Sequence, residues 1–136
     1  MSATDEAVVP IHVEGDVVVA RRAVRDAANR MGFGITDTTR IVTAASELAR
    51  NIVKYAGAGT MLIRAIEHEA RTGLELVFAD RGPGIADIPQ AMTEGYSTTG
   101  GLGMGLPGAK RLMDDMNVQS KVGEGTCVVV RKWRRT

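Results

Sequence analysis

Three short blocks of this chain carry the side chains and glycines that a nucleotide site needs. The first is ELARN at residues 47–51, followed by Lys54. Glu47 and Asn51 stand one helical turn apart, so a carboxylate and an amide project from one helix face, with Lys54 at i+7. An amide oxygen such as that of Asn51 is a hard ligand suited to Mg²⁺, which takes one or two protein ligands and leaves its other positions to water and phosphate. Glu47 can polarise an attacking hydroxyl or orient a metal-bound water. Lys54 can meet a phosphate as a point charge.

The second block is DRGPG at residues 80–84, which ends the apolar run LELVFA at 74–79. An acid at the end of such a strand, Asp80, can accept a hydrogen bond from an adenine exocyclic amine. Gly82 and Gly84 let a base and ribose approach the backbone, and Pro83 stiffens the turn. The third block, GGLGMGLPG at 100–108, is a glycine-rich loop running into a helix. Its backbone N–H groups and helix dipole suit phosphate, which makes Gly101, Leu102, Gly103, Met104, Gly105 and Leu106 the candidate contacts. Residues 103–108 match G-x-G-x-x-G, but they follow the polar run YSTTG rather than a strand and start no βαβ unit, so a dinucleotide fold is rejected. No G-x-x-x-x-G-K-[ST] string occurs, which excludes a P-loop. The three blocks in this order point to a Mg-ATP site.

The elements that must position them follow from periodicity. Residues 8–13 alternate as a first strand, placed at an edge by Pro10. Asp16 is expected to cap a helix to about Met31, with Val17, Ala20, Val24, Ala27 and Met31 on one stripe and Gly32 as its stop. Thr36 or Asp37 starts a second helix to about Ala56, buried through Ile41, Ala45, Leu48 and Ile52, with Gly57 and Gly59 ending it. Residues 60–66 and 74–79 form a hairpin whose turn includes Gly73. Residues 86–101 form a long loop over the site, expected to order when nucleotide arrives. A helix follows over residues 104–115, with Pro107 in its first turn, where the missing N–H is harmless. Residues 117–122 and 126–133 close the chain as a second hairpin. The sum is one α+β domain over residues 1–136, a two-layer sandwich with helices on one face of a mixed or antiparallel sheet.

Composition bounds the function. The 136 residues make one core. A net charge of +1 argues against non-specific nucleic-acid binding, which needs a basic excess to release counterions. The run Arg131-Lys132-Trp133-Arg134-Arg135 reads as a solvated strand end. The single cysteine, Cys127, excludes an internal disulfide and reads as a small buried hydrophobe. No apolar run approaches the ~18 residues of a membrane span and no basic-then-apolar leader occurs, so no membrane association and a cytoplasmic site of action are expected. His12 and His68 have no partners at metal-ligand spacing.

In their order and spacing the blocks resemble the N, G1 and G2 boxes of the GHKL superfamily of ATP-binding domains. The longer strings SELARNIVKYAG (46–57), DRGPGI (80–85) and STTGGLGMGLPGAKRLMDD (97–115) are most similar to the RsbT-type serine/threonine switch kinases within it. The resemblance runs from about residue 8 to Trp133 and implies the GHKL, or Bergerat, fold. It also implies that Asp80 receives the adenine amine and that Thr126 helps hold the adenine pocket. The activity it implies is Mg-ATP-dependent phosphorylation of serine or threonine on STAS-domain proteins of the stressosome or anti-sigma-antagonist class. A PP2C-type phosphatase is implied as a second partner. The alternative within the same fold is an anti-sigma factor that sequesters a sigma factor. A larger ATPase is disfavoured because no transducer domain follows, and a sensor kinase because no histidine-bearing dimerisation helix precedes. Residues 86–101 contain no Lys or Arg, although related loops often place a cation near the γ-phosphate. Lys54, Lys110 and Arg81 are the candidates for that charge, as is Mg²⁺ itself.

Overall fold

The computed structural model describes residues 2–92 and 102–135. In chain order the elements are β1 (Ser2–Ile11), α1 (Glu14–Arg30), α2 (Ile35–Asn51), a π-helical turn (Ile52–Ala56), β2 (Gly59–His68), β3 (Arg71–Asp80), α3 (Ile88–Ala91), α4 (Leu102–Leu112), β4 (Asp115–Lys121) and β5 (Gly125–Trp133). The five strands form one sheet in the order β1-β2-β3-β5-β4. Every pairing is antiparallel, which decides between the mixed and antiparallel sheets expected. Pro10 does lie on an edge strand, where its missing N–H breaks no ladder bond on the open side.

The core lies between one sheet face and the helices. Ile63, Leu76 and Val130 form one cross-strand row, and Met61, Phe78 and Val128 the next. All six are buried, against Val17 and Val24 of α1, Ile41, Ala45 and Leu48 of α2, and Ala109 of α4. Each large apolar side chain so buried contributes about 1.5–3 kcal/mol by leaving water. Alanines 44, 45 and 49 are fully buried on α2, and their small size lets α1 and α4 pack closely on either side. The helical stripes read from the sequence are thus the buried faces, although Met31 is only half-buried.

Several local expectations are corrected. Asp16 is not the cap of α1. Helix starts at Glu14, and the Asp16 carboxylate reaches back to accept the N–H groups of His12 and Val13 at 2.8 and 3.1 Å. Gly34, rather than Thr36 or Asp37, precedes α2. Gly73 is not in the β2–β3 turn. That turn is made by Glu69 and Ala70, both at positive φ, and Gly73 lies inside β3 because a Cβ there would stand 2.7 Å from Cε3 of Trp133. Pro107 sits inside α4 rather than in its first turn. The short α3, capped by the Asp87 side chain on Gln90 N–H at 3.0 Å, interrupts the expected loop. The remainder of that loop, residues 93–101, and with it the expected ordering and the proposed role of Gly101, lies outside the described residues.

The basic C-terminal run is a structural network rather than a solvated end. Lys132 is 3% exposed. Its Nζ donates to Leu112 O at 2.8 Å and lies 3.5 Å from Asp114 Oδ1 and 3.8 Å from Asp37 Oδ1. It thereby closes the C-terminus of α4 onto the start of α2. On the opposite sheet face Glu75 is sandwiched by Arg64 Nε at 2.6 Å and Arg131 Nε at 2.7 Å. Only Arg134 and Arg135 remain exposed, and Arg135 still reaches Asp37 Oδ2 at 3.1 Å.

Candidate nucleotide site

A cavity opens where the end of α2 meets the ends of β3 and β5. Leu48, Ile52, Tyr55, Ala56, Phe78, Pro83, Ile85 and Val128 supply its mostly apolar walls, and Asn51, Asp80, Gly84, Leu106 and Thr126 complete the lining. About 480 Å³ of space between atoms lies within it, open solvent included, while the room for the centre of a water-sized sphere is about 40 Å³, so the cavity is narrow. All three sequence blocks therefore reach one cavity, through Asn51, through Asp80 and Gly84, and through Leu106.

Asn51 closes α2, and the helix then widens into the π turn, with Gly57 N–H bonded to Ile52 O at 2.8 Å and Gly57 at φ +83°. Such single π turns frequently mark functional positions. The Asn51 amide has no protein hydrogen-bond partner among the described residues, so its oxygen is free for a cation. The π turn breaks the i, i+4, i+7 alignment expected of Glu47, Asn51 and Lys54. Lys54 is exposed, its Nζ 5.6 Å from the centroid of the Tyr55 ring, and it does not line the cavity. Glu47 lies outside the lining as well, half-exposed, 3.5 Å from Arg50 Nη1. Arg50 in turn meets Glu14 of α1 at 3.3 Å.

Asp80 ends β3, cross-strand from Thr126. Its Oδ1 accepts Gly82 N–H at 2.9 Å and Thr126 N–H at 3.3 Å. Among the described residues no hydrogen bond uses Oδ2, which leaves that oxygen for a ligand. The glycines after it work differently from expectation. A Cβ on Gly82 would lie 2.7 Å from the Ala56 Cβ, so this glycine lets the turn close on the π turn and does not line the cavity. Gly84, at φ +79°, packs on the Lys121 carbonyl while lining the cavity. The segment is pinned to the β4–β5 hairpin, with Gly123 N–H on Pro83 O at 2.8 Å and Ile85 N–H on Ser120 Oγ at 2.7 Å.

Cys127, next to Thr126, is half-buried rather than buried. Burial pushes its thiol pKa up, and the charge of Asp80 adds to the shift. Among the described residues no cluster of His, Cys, Asp or Glu is arranged to hold a metal, so a divalent cation here would depend on Asn51 and on the phosphates themselves. The donor set fits Mg²⁺ used that way.

Sequence reasoning missed Ser120, Gly125, Tyr55 and the apolar walls. Gly125, at φ +116°, lies against the Asp80 carbonyl and was legible in the GEG string as a second turn glycine. Ser120 carries no sequence signal, being one polar residue in an alternating strand.

A histidine kinase-like ATPase domain model matches residues 10–132 of the chain. The chain is 49% identical over 131 residues to the serine/threonine-protein kinase RsbT of Bacillus subtilis, covering 96% of this chain and 98% of that protein. It is 31% identical over 120 residues to the anti-sigma F factor of Caldanaerobacter subterraneus subsp. tengcongensis, covering 84% and 82%. In fold it is similar to a crystal structure of RsbU and RsbW domains from Mycobacterium tuberculosis, with a TM-score of 0.64 at 18% identity. That match covers 98% of this chain and 34% of the other. No helix among the described residues is long and apolar enough to cross a membrane.

Proposed function

The chain belongs to the histidine kinase-like ATPase domain family, and on that premise we propose that it is a protein serine/threonine kinase transferring phosphate from Mg-ATP to a small STAS-domain protein in sigma-factor regulation. The observation that carries this reading is the pairing in one apolar cavity of two oxygens without a partner among the described residues: the Asn51 amide at its helical wall and Asp80 Oδ2 at its strand wall.

Asp80 is ready to accept from the exocyclic amine of adenine, its other oxygen being fixed by Gly82 and Thr126. Phe78, Ile85, Leu106 and Val128 offer the base an apolar bed and exclude water from around that hydrogen bond. Asn51 would hold Mg²⁺ by its amide oxygen, and the bound cation neutralises phosphate charge. The start of α4 would offer its backbone N–H groups to the phosphates. Glu47, a turn before Asn51, would orient the partner's hydroxyl and take its proton at the carboxylate. Phosphoryl transfer asks mainly for positioning and charge neutralisation, so a single carboxylate is enough protein chemistry.

The 49% identity to a serine/threonine-protein kinase supports the kinase reading over the anti-sigma alternative, whose named relative is 31% identical. A PP2C-type phosphatase is proposed as the second partner, engaged by the kinase once its substrate is phosphorylated. The test is incubation with Mg-ATP and a STAS-domain protein of the same organism, followed by mass spectrometry. Phosphoserine or phosphothreonine on the partner is expected. No phosphate, together with co-purification of a sigma factor, would replace the kinase by the anti-sigma reading.

A further inference from the structure

The hydrogen-bond polarity of the cavity is set by a residue outside all three sequence blocks. Ser120 Oγ accepts Ile85 N–H at 2.7 Å, lies 3.0 Å from the Gly125 carbonyl oxygen and 2.8 Å from Thr126 Oγ1. A hydroxyl owns one proton and two acceptor positions. The Gly125 oxygen can only accept, so the Ser120 proton goes there. Ile85 N–H fills one acceptor position, and the contact with Thr126 is then completed by Thr126 donating into the second. Ser120 is saturated by this arrangement. The reverse, with Ser120 donating to Thr126, would take this donor from the carbonyl of buried Gly125.

The consequence falls on Thr126. With its only proton turned toward Ser120, its oxygen presents lone pairs to the cavity it lines. Asp80 Oδ2 beside it can also only accept, and the Thr126 N–H is spent on Asp80 Oδ1. This end of the cavity thus offers two acceptors side by side. We propose that Ser120 is a positioning residue that fixes Thr126 as an acceptor and so makes the cavity select a 6-amino purine over a 6-keto purine. Both N–H groups of a 6-amino substituent can donate to such a surface, directly or through water, whereas a 6-keto oxygen in the same place sets acceptor against acceptor and leaves only the ring N1–H to donate. This inference rests on the nucleotide reading of the site.

The experiment is calorimetric binding of ATP and of inosine triphosphate, at fixed Mg²⁺, to the wild-type chain and to Ser120→Ala, Ser120→Thr, Thr126→Val and the Ser120→Ala/Thr126→Val pair. Ser120→Ala frees the Thr126 hydroxyl to rotate and donate, so the preference for ATP should fall by about tenfold, the size of one polar contact exchanged for another. Ser120→Thr keeps the hydroxyl and should keep the preference. In the Thr126→Val background, Ser120→Ala should change the ratio no further, because the residue it acts through is gone. An equal loss of affinity for both nucleotides in Ser120→Ala would make Ser120 a plain structural brace and overturn the inference while leaving the ATP site intact. Should Ser120→Ala not fold, an unaltered ATP preference in Thr126→Val overturns it equally. A wild-type chain that binds neither nucleotide removes the nucleotide reading, and this inference with it.

Discussion

Asp80 Oδ1 accepts the backbone N–H of Thr126 at 3.3 Å, across a sequence separation of 46 residues. The same oxygen takes Gly82 N–H at 2.9 Å. One carboxylate oxygen therefore holds the tight turn after β3 and the start of β5 in place, and the second oxygen has no hydrogen-bond partner among the described residues. A charged acceptor held by two backbone donors is pre-organised, so little order has to be imposed on it when a base binds.

Replacing that carboxylate by an amide of nearly equal size should separate the two jobs. In Asp80→Asn the carbonyl oxygen can keep the Gly82 and Thr126 bonds, but the group facing the cavity becomes NH₂, a donor set against the adenine amine. ATP affinity should fall by about 1.5–3 kcal/mol, the worth of a hydrogen bond to a charged group. The thermal midpoint should move little. Calorimetry showing unchanged affinity would take Asp80 out of the pocket.

Gly125 shows how the same junction depends on an absent side chain. At φ +116° it occupies backbone space that L side chains rarely adopt, and a Cβ would overlap the Asp80 carbonyl. Gly125→Ala should cost about 1–3 kcal/mol in backbone strain alone, and the clash should push Asp80 away from the cavity. Urea unfolding and nucleotide titration should therefore both worsen. Weakened stability with intact ATP binding would mean that the displacement is absorbed in the β4–β5 turn instead.

The parts of this structure legible in the sequence are those encoded locally. The buried stripes of α1 and α2 repeat every three to four residues, Asn51 stands out by its spacing of one helical turn from Glu47, and Asp80 stands out as an acid where an apolar strand ends. Features set by partners far along the chain were not legible. Gly73 reads as a turn residue until Trp133, its cross-strand partner, is seen to need the space of its missing side chain. Lys132 reads as solvated until Asp37 and Asp114 arrive from α2 and the end of α4. The π turn after Asn51 has no residue signature, and it is what takes Lys54 off the face shared by Glu47 and Asn51.

Asp16 gives the chain a specific acid response. The N–H groups of His12 and then Val13 hold its carboxyl pKa below the ordinary value, while desolvation weakly opposes them. A folded pKa below the unfolded one means that the contribution is present above the unfolded value, about 3.9, and is lost as pH falls through the folded one. The stability gap between wild type and Asp16→Ala should accordingly be present above about pH 4 and narrow as the pH falls below it. Urea midpoints measured across that range test this. A gap that does not narrow at all in acid would mean that the side chain acts by packing rather than by charge.

Glu47 and Asn51 share one turn of α2 yet should fail in different ways. Glu47 does not line the cavity, and its one ion pair among the described residues, to Arg50 at 3.5 Å, joins two partly exposed groups, so removing it should change stability by less than about 1 kcal/mol. Its proposed work is on the incoming hydroxyl. Glu47→Gln should leave ATP affinity within about twofold while cutting phosphate transfer to the partner by roughly 10²–10⁴ if proton abstraction matters. A loose transition state asks less of a base, which puts the expected loss toward the lower end of that range. Asn51→Ala should instead weaken Mg-ATP more than ATP without the cation, because the ligand lost is the cation's. Single-turnover transfer measured beside equilibrium binding separates the two. Full turnover in Glu47→Gln would leave the carboxylate with no part in the chemistry, and equal ATP affinity with and without Mg²⁺ in wild type would deny Asn51 its cation.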